Sequence, residues 1–269
     1  MNITVLIKQV PATDKVKMDE KTGTMVRGEM EAELNPLDMY AVEEAVRTKE
    51  RLTRLHPTEK TTVTAISMGP EAASYSIRDA IALGCDGGVL LSDRAFAGSD
   101  TFATALILSE AIKKLGGFDI IFTGERATDG ETGQVGPSVA AQLDIPALTY
   151  VSKIVEVNEK QVTVERTTEE GREVIRVELP VLISVTKEIN EPRLPDLAGK
   201  IRAKSSRIEV LNAEALNLPE ERIGLKGSPT RVVKVFYPKV SRNGRIISGK
   251  DPDKAADKLV KFLKERGIM

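Results

Sequence analysis

The stretch with most to offer chemistry is FTGERATDGETGQVGPSVAAQL, residues 122–143, which runs out of an apolar strand pattern, through glycines and carboxylates, into a helical one. Glycine lets a backbone approach a ligand closely, and a helix start turns unpaired N–H groups and a positive dipole end toward the preceding loop. That is the chemistry of phosphate binding. Thr132, Gln134 and Ser138 add neutral donors, while Glu125, Asp129 and Glu131 oppose an anion unless they turn away. The same glycines also suit a plain strand-to-helix turn capped by Asp129 or Thr132. Gly130, Gly133 and Gly136 are spaced G-x-x-G-x-x-G after the fourth strand pattern, which is not the dinucleotide fingerprint that follows a first strand.

A second stretch, FAGSDTFATA at 96–105, places Gly98, Ser99, Asp100 and Thr101 before another helical run. An ordinary capped helix would look the same, but two such starts in one sheet suit an elongated nucleotide. A third, GRIISGKD at 244–251, matches the spacing G-x-x-x-x-G-K, yet Asp251 stands where a magnesium-ligating hydroxyl belongs and would repel phosphate. His56 lies before Pro57 in a polar link and is expected to be a solvated loop residue. Cys85 is expected to be a small packing residue. With one histidine, one cysteine and no tryptophan, side-chain catalysis has few candidates, so redox or group-transfer chemistry would come from a cofactor. No metal site is expected.

The elements that must position these residues alternate. Strand-like apolar runs at 4–10, 62–67, 88–91 and 119–123 are separated by helical patterns. The first helix begins with Asn35 as N-cap and Pro36 at its first position, the second spans 70–83 and stops at Gly84, and the third is capped by Ser99 or Asp100 and stopped by Gly116 and Gly117. The fourth has its core at 137–143. This alternation predicts an α/β fold with a doubly wound, mostly parallel sheet and ligands at the strands' carboxyl ends. Residues 150–186 alternate apolar and charged residues and read as an antiparallel β-meander, with turns at Asn158-Glu159 and Glu170-Gly171. EINEPRLP at 188–195 reads as an extended surface segment. A domain is expected over 1–237, and 238–269 is expected to be a linker and an amphipathic helix with Ala255, Leu259, Phe262 and Leu263 on one face, which must dock on something.

Charge is nearly balanced, 39 Lys+Arg against 40 Asp+Glu, which argues against nucleic acid and membrane surfaces as partners. The lone cysteine excludes an internal disulfide and suits a reducing, cytoplasmic setting. No stretch approaches the ~18 apolar residues of a membrane span, and the strand-like start MNITVLIKQV is unlike a targeting peptide.

Several motifs, VLIKQVP, LNPLDMYAVEEAVRTKE, AISMGP, GERATDGETGQVGP and above all NEPRLPDLAGKIRAKSSRIEV, together resemble the β subunits of electron transfer flavoproteins over nearly the whole chain. The resemblance implies a nucleotide-binding domain paired with an α subunit, holding AMP in the ordinary kind and a complete FAD in the electron-bifurcating kind. KQVPAT, Gly130 followed by ETGQVGP, and FAGSDTFATA are most similar to the bifurcating kind; Ala12 and the pair Glu125-Arg126 depart from its usual pattern.

By that resemblance the nucleotide contacts fall on Leu6, Lys8, residues 35–38 with Asn35 and Asp38, Met68, and the loop of Ala127, Thr128, Asp129, Gly130, Glu131, Thr132, Gly133, Gln134, Val135, Gly136, Pro137 and Ser138. Gly98, Ser99, Asp100 and Thr101 would serve the pyrophosphate and ribityl region. The segment 188–204, with Arg193, Leu194 and Leu197, corresponds to the family's recognition loop, whose leucine enters an acyl-CoA dehydrogenase; core packing is the other reading of Leu197. The implied activity is hydride acceptance from NADH on FAD. One electron would then go to ferredoxin or flavodoxin, the other through the α subunit's second FAD to an acyl-CoA dehydrogenase. The C-terminal helix would reach that α subunit. The alternatives are the AMP-holding electron carrier and, from another class, a nucleotide-binding sensor or ATPase of similar fold.

Overall fold

The computed structural model describes residues 1–12, 32–233, 246–247 and 251–269. Thr13 of KQVPAT and nearly all of the 238–250 connector, including the glycines and lysine of the G-x-x-x-x-G-K spacing, lie outside the described residues. The chain divides into two compact units, Met1–Val233 and Lys234–Met269.

In the first unit, β1 (Asn2–Ile7) is followed by the short β2 (Gln9–Pro11) and β3 (Ala32–Leu34), which pair with each other apart from the main sheet. Then α1 (Pro36–Leu55), β4 (Thr62–Met68), α2 (Ser74–Leu83), β5 (Gly87–Leu91), α3 (Thr101–Lys114), β6 (Ile120–Gly124) and α4 (Val135–Leu143) alternate. Next come β7 (Ala147–Val157), β8 (Gln161–Thr168), β9 (Gly171–Glu178), β10 (Val181–Val185), α5 (Leu197–Ser205), β11 (Glu209–Leu211) and the one-turn α6 (Gly224–Gly227). Among the described residues the main sheet runs β11-β5-β4-β1-β6-β10-β7-β8-β9. It is parallel from β11 through β10 to the start of β7, and antiparallel where β7, β8 and β9 pair.

Period two decides which side each strand residue serves. Ile3, Val5 and Ile7 of β1 join one buried cluster with Ala41 and Ala45 of α1, Ile77 of α2 and Ala203 of α5, whereas Leu6 joins the opposite cluster with Ile107 and Ile112 of α3 and Val139 of α4. Helices therefore cover both faces, the doubly wound arrangement expected.

The details correct three expectations. The run 4–10 is not one strand: β1 ends at Ile7, and Gln9 begins β2, which pairs antiparallel with β3 apart from the main sheet. The meander does not extend to 186, because Val181–Val185 runs parallel between β6 and β7. All five of its residues are buried, the mark of a two-faced interior strand rather than an alternating one. Asn35 occupies the N-cap position of α1, yet its side chain makes no cap bond. Helix α5 and strand β11 escaped the reading. LAGKIRAKS is small and basic with little periodicity, and its start depends on the Asp196 carboxylate capping the Gly199 N–H at 2.6 Å.

The second unit contains α7 (Pro252–Glu265). Asp251 caps it, its carboxylate accepting from the N–H groups of Asp253 and Lys254. The residue that spoiled the phosphate motif is thus a helix cap.

Candidate nucleotide-binding crevice

Strand order reverses at β1, which pairs with β4 on one side and with β6 on the other. In an open parallel sheet such a reversal parts the loops at the carboxyl ends and leaves a crevice. Lys8 follows β1 there, and Gly124 ends β6.

The first turn of α1 packs into this point. The Asp38 carboxylate accepts the Lys8 N–H at 2.8 Å, and it also accepts from the Gly124 N–H and the Asn35 amide. Burial outweighs these bonds and pushes the Asp38 carboxyl up from 3.8 to about 7. Gly124 is required by the close approach: a Cβ there would collide with Asp38 Oδ1 and stand 2.8 Å from the Leu37 carbonyl carbon and oxygen. Asn35 reaches the loop beyond, its Nδ2 donating to the Arg126 carbonyl at 3.0 Å and its Oδ1 accepting the Thr128 N–H at 3.2 Å.

Two of the carboxylates that opposed an anion are neutralised. Glu125 pairs with the neighbouring Arg126 guanidinium, and Asp129 receives Lys8 Nζ on both oxygens, at 2.6 and 2.8 Å. Glu131 lies exposed at the loop tip with φ +53°, and Gly133 follows with φ +63°. Neither Asp129 nor Thr132 caps α4. Gln134 holds the N-cap position with no side-chain cap bond, and Pro137 in the first turn has no N–H to satisfy. Gly136 lets this start settle on β6, since a Cβ would lie 3.0 Å from Thr123 Oγ1, a buried hydroxyl without a hydrogen-bond partner among the described residues. Val135 and Ser138 complete the first turn, both half-buried.

The start of α3 is different. Asp100 Oδ1 accepts the N–H groups of Phe102 and Ala103, each at 3.0 Å, and Oδ2 accepts both the N–H and the hydroxyl of Thr230 at 2.9 and 2.8 Å. The Asp100 N–H donates to Ser228 Oγ, and Ser99 Oγ accepts the Gly224 N–H at 3.1 Å. Gly98, with φ +77°, allows Leu225 against it, 2.5 Å from where a Cβ would stand. Residues 224–230 thus cover this helix start, a segment that no sequence signal pointed to. The two starts touch where Thr101 Oγ1 donates to Gln134 Oε1 at 3.4 Å.

Of the remaining expected contacts, Leu6 is buried in the core beneath the crevice, and Met68 ends β4, packed against the same cluster. The loop residues Ala127, Thr128, Asp129, Gly130, Glu131 and Thr132 all lie between Gly124 and α4. What the arrangement offers is a place for an anion: an uncapped helix start, glycines before it, and two of the three loop carboxylates held by cations.

The segment 188–195 lies against the middle of α1. Arg193 bonds Glu43 through Nε at 2.8 Å and Nη2 at 3.1 Å, and Glu50 through Nη1 at 2.7 Å and Nη2 at 3.2 Å. Asn190 Nδ2 donates to the Tyr40 carbonyl and to Glu44. This leaves Leu194 89% and Leu197 74% exposed, so neither is core. Cys85 is wholly buried and its thiol is pushed up to about 12 by that burial, which makes it a packing residue. His56 is half-exposed, with Nδ1 3.3 Å from Glu159 Oε1. His56, Glu59 and Glu159 bring one ligand atom each within 4.8 Å of one another at the far end of α1, about 30 Å of helix from the crevice. No helix of the described residues is long and apolar enough to cross a membrane.

The chain matches the family model of the electron transfer flavoprotein domain over residues 22–216. It is similar, at 45% identity with all of both chains covered, to the electron transfer flavoprotein subunit beta of Thermoanaerobacterium thermosaccharolyticum. It is also similar across all of both chains to the caffeyl-CoA reductase-Etf complex subunit CarD of Acetobacterium woodii, at 41% identity, and to the acryloyl-CoA reductase electron transfer subunit gamma of Anaerotignum propionicum, at 40%.

Proposed function

Because the chain belongs to the electron transfer flavoprotein family as a β subunit, we propose that its crevice holds FAD and that it works as the electron-bifurcating kind. The observation that carries this reading is the contact between two helix starts at the crevice, joined at Thr101 and Gln134, which suits a ligand longer than AMP. The uncapped start of α4, with Gly130, Gly133, Gln134 and Ser138 before and within it, would receive phosphate oxygens, with Lys8 holding the Asp129 carboxylate that would otherwise oppose them. Leu6, Met68 and the Pro36-Leu37 stretch would wall the adenine end. The α3 start would contribute Ser99 and Thr101 to the far end; the Asp100 carboxylate is already engaged within the chain.

When bound there, FAD supplies the redox chemistry, with NADH as hydride donor. The proposed partners are an α subunit carrying a second FAD, ferredoxin or flavodoxin as low-potential acceptor, and an acyl-CoA dehydrogenase-like enzyme meeting Arg193, Leu194 and Leu197, all in the cytoplasm. Relatives named for caffeyl-CoA and acryloyl-CoA reductase complexes favour a CoA-linked acceptor. The second reading, an AMP-holding carrier, is favoured by the closed α3 start. Cofactor extraction from the purified heterodimer decides: two FAD per heterodimer supports bifurcation, and one FAD with one AMP refutes it.

A further inference from the structure

Asn35 and Asp38 are counted as nucleotide contacts by the resemblance, yet their side chains are buried and engaged within the chain. Asn35 is fully buried and Asp38 is 6% exposed. A side-chain amide has two donors and an acceptor oxygen. In Asn35 the donors go to the Arg126 carbonyl and the Asp38 carboxylate, and the oxygen takes the Thr128 N–H. The Asp38 carboxylate accepts from the Lys8 N–H, the Gly124 N–H and Asn35.

What this pair holds is the loop. Between Gly124 and Gln134 the backbone is irregular and contains Gly130 and Gly133, and its own turn is closed by the N–H groups of Gly130 and Glu131 on the Ala127 carbonyl. The part-buried grip from outside comes from Asn35, one residue on each side of Ala127, backed by the exposed Lys8–Asp129 pair. Asn35 does this while standing at the N-cap of α1 without capping it, so a side chain of the best capping type serves the loop instead of its own helix.

We propose that Asn35 and Asp38 are positioning residues, acting on the nucleotide only through the 126–134 loop, whose backbone they set so that the start of α4 faces the phosphates. This rests on reading the crevice as a nucleotide site, and the test separates the two. The heterodimer, stripped of nucleotide, is titrated calorimetrically with AMP and with FAD as wild type, Asn35→Ala, Asp38→Asn and Lys49→Gln, the last removing an ion pair with Asp86 farther along the same helix. Losing two part-buried hydrogen bonds to the loop raises Kd about ten-fold or more in Asn35→Ala, and hydrogen exchange speeds up at the amides of 126–131 but not in α3. Lys49→Gln leaves both readouts unchanged. Should Asn35→Ala fail to fold, Asp38→Asn, of the same size and keeping one acceptor oxygen, carries the test with the same direction. Affinities within two-fold of wild type in the folded variants, or an equal loss in Lys49→Gln, overturn the positioning role. A wild type that binds neither AMP nor FAD overturns the crevice reading itself.

Discussion

The starts of α3 and α4 stand side by side and solve the same problem oppositely. Every helix start leaves N–H groups without intrahelical partners. At α3 the Asp100 carboxylate takes two of them and residues 224–230 fold over the rest, tied by Ser99, Ser228 and Thr230. At α4 there is no side-chain cap, and the loop before it is held from below by Asn35 and Asp38. A capped start contributes stability. An uncapped start leaves its N–H groups open to a ligand, and both its stability and its geometry must come from elsewhere.

The clamp beneath α4 is therefore where substitution is most damaging. In Gly124→Ala the new methyl meets Asp38 Oδ1 and the Leu37 backbone, neither the far end of a flexible side chain, so α1 or β6 must move. The expected loss is about 3 kcal/mol of stability, with overpacking and a broken buried network added together. Nucleotide binding goes with it. A urea midpoint within experimental error of wild type would show that the clamp bears no strain.

The clamp also titrates. Burial raises the Asp38 carboxyl from 3.8 to about 7, so between those values the folded chain keeps a proton that the unfolded chain has released. Its contribution to stability is therefore present at low pH, falls as pH rises from about 4 to about 7 by up to about 1.4 kcal/mol per unit, and is constant above. Urea midpoints of wild type and Asp38→Asn from pH 5 to 8 isolate it: the difference between them should shrink or reverse toward high pH. A difference independent of pH would mean that Asp38 stays ionised.

At the closed start the expectation is inverted. Asp100→Ala removes a cap and the anchor of Thr230, costing about 2 kcal/mol, and frees the amides near 228–230 to exchange. AMP affinity should stay within two-fold. A large affinity loss with little loss of stability would move Asp100 from the scaffold into the site.

Much of this contrast was legible beforehand, for definite reasons. Apolar runs bounded by glycine and helical stretches with Pro36, Gly84 or Gly116 at their ends carry their structure locally, so the parallel sheet and the placing of both helix starts could be read. A cap at Ser99 or Asp100 was legible from their place before a helical run, and Asp100 is the one that caps. What Asn35 does was not, because its partners Arg126 and Thr128 are some ninety residues away, and local pattern offers only the cap that it declines. The same distance hid Thr230 from Asp100, and Glu43 and Glu50 from Arg193. Arg193 reads as a partner contact from the sequence; within the chain its guanidinium holds the segment on α1 while Leu194 and Leu197 project. VLISV was misplaced for another reason: it follows an alternating meander, and only its unbroken apolar run sets it apart.

The smallest expected effect sharpens the comparison most. Thr101 belongs to the closed start, but its hydroxyl reaches Gln134 of the open one at 3.4 Å, a long and therefore weak bond. Thr101→Val keeps the shape and the helix cap while removing that hydroxyl, so stability should change by no more than about 0.5 kcal/mol. If AMP alone fills the crevice, its contacts end at the α4 start and its affinity is unchanged. FAD is longer and must pass the α3 start, where Thr101 is a hydroxyl that Asp100 does not consume. Its affinity should fall about three- to ten-fold, the loss of one hydrogen bond. Equal small changes for both nucleotides would make the two starts independent and leave the closed one with no part in binding. A selective loss for FAD would join them into one elongated site, with α4 holding phosphate and α3 setting how far the ligand reaches.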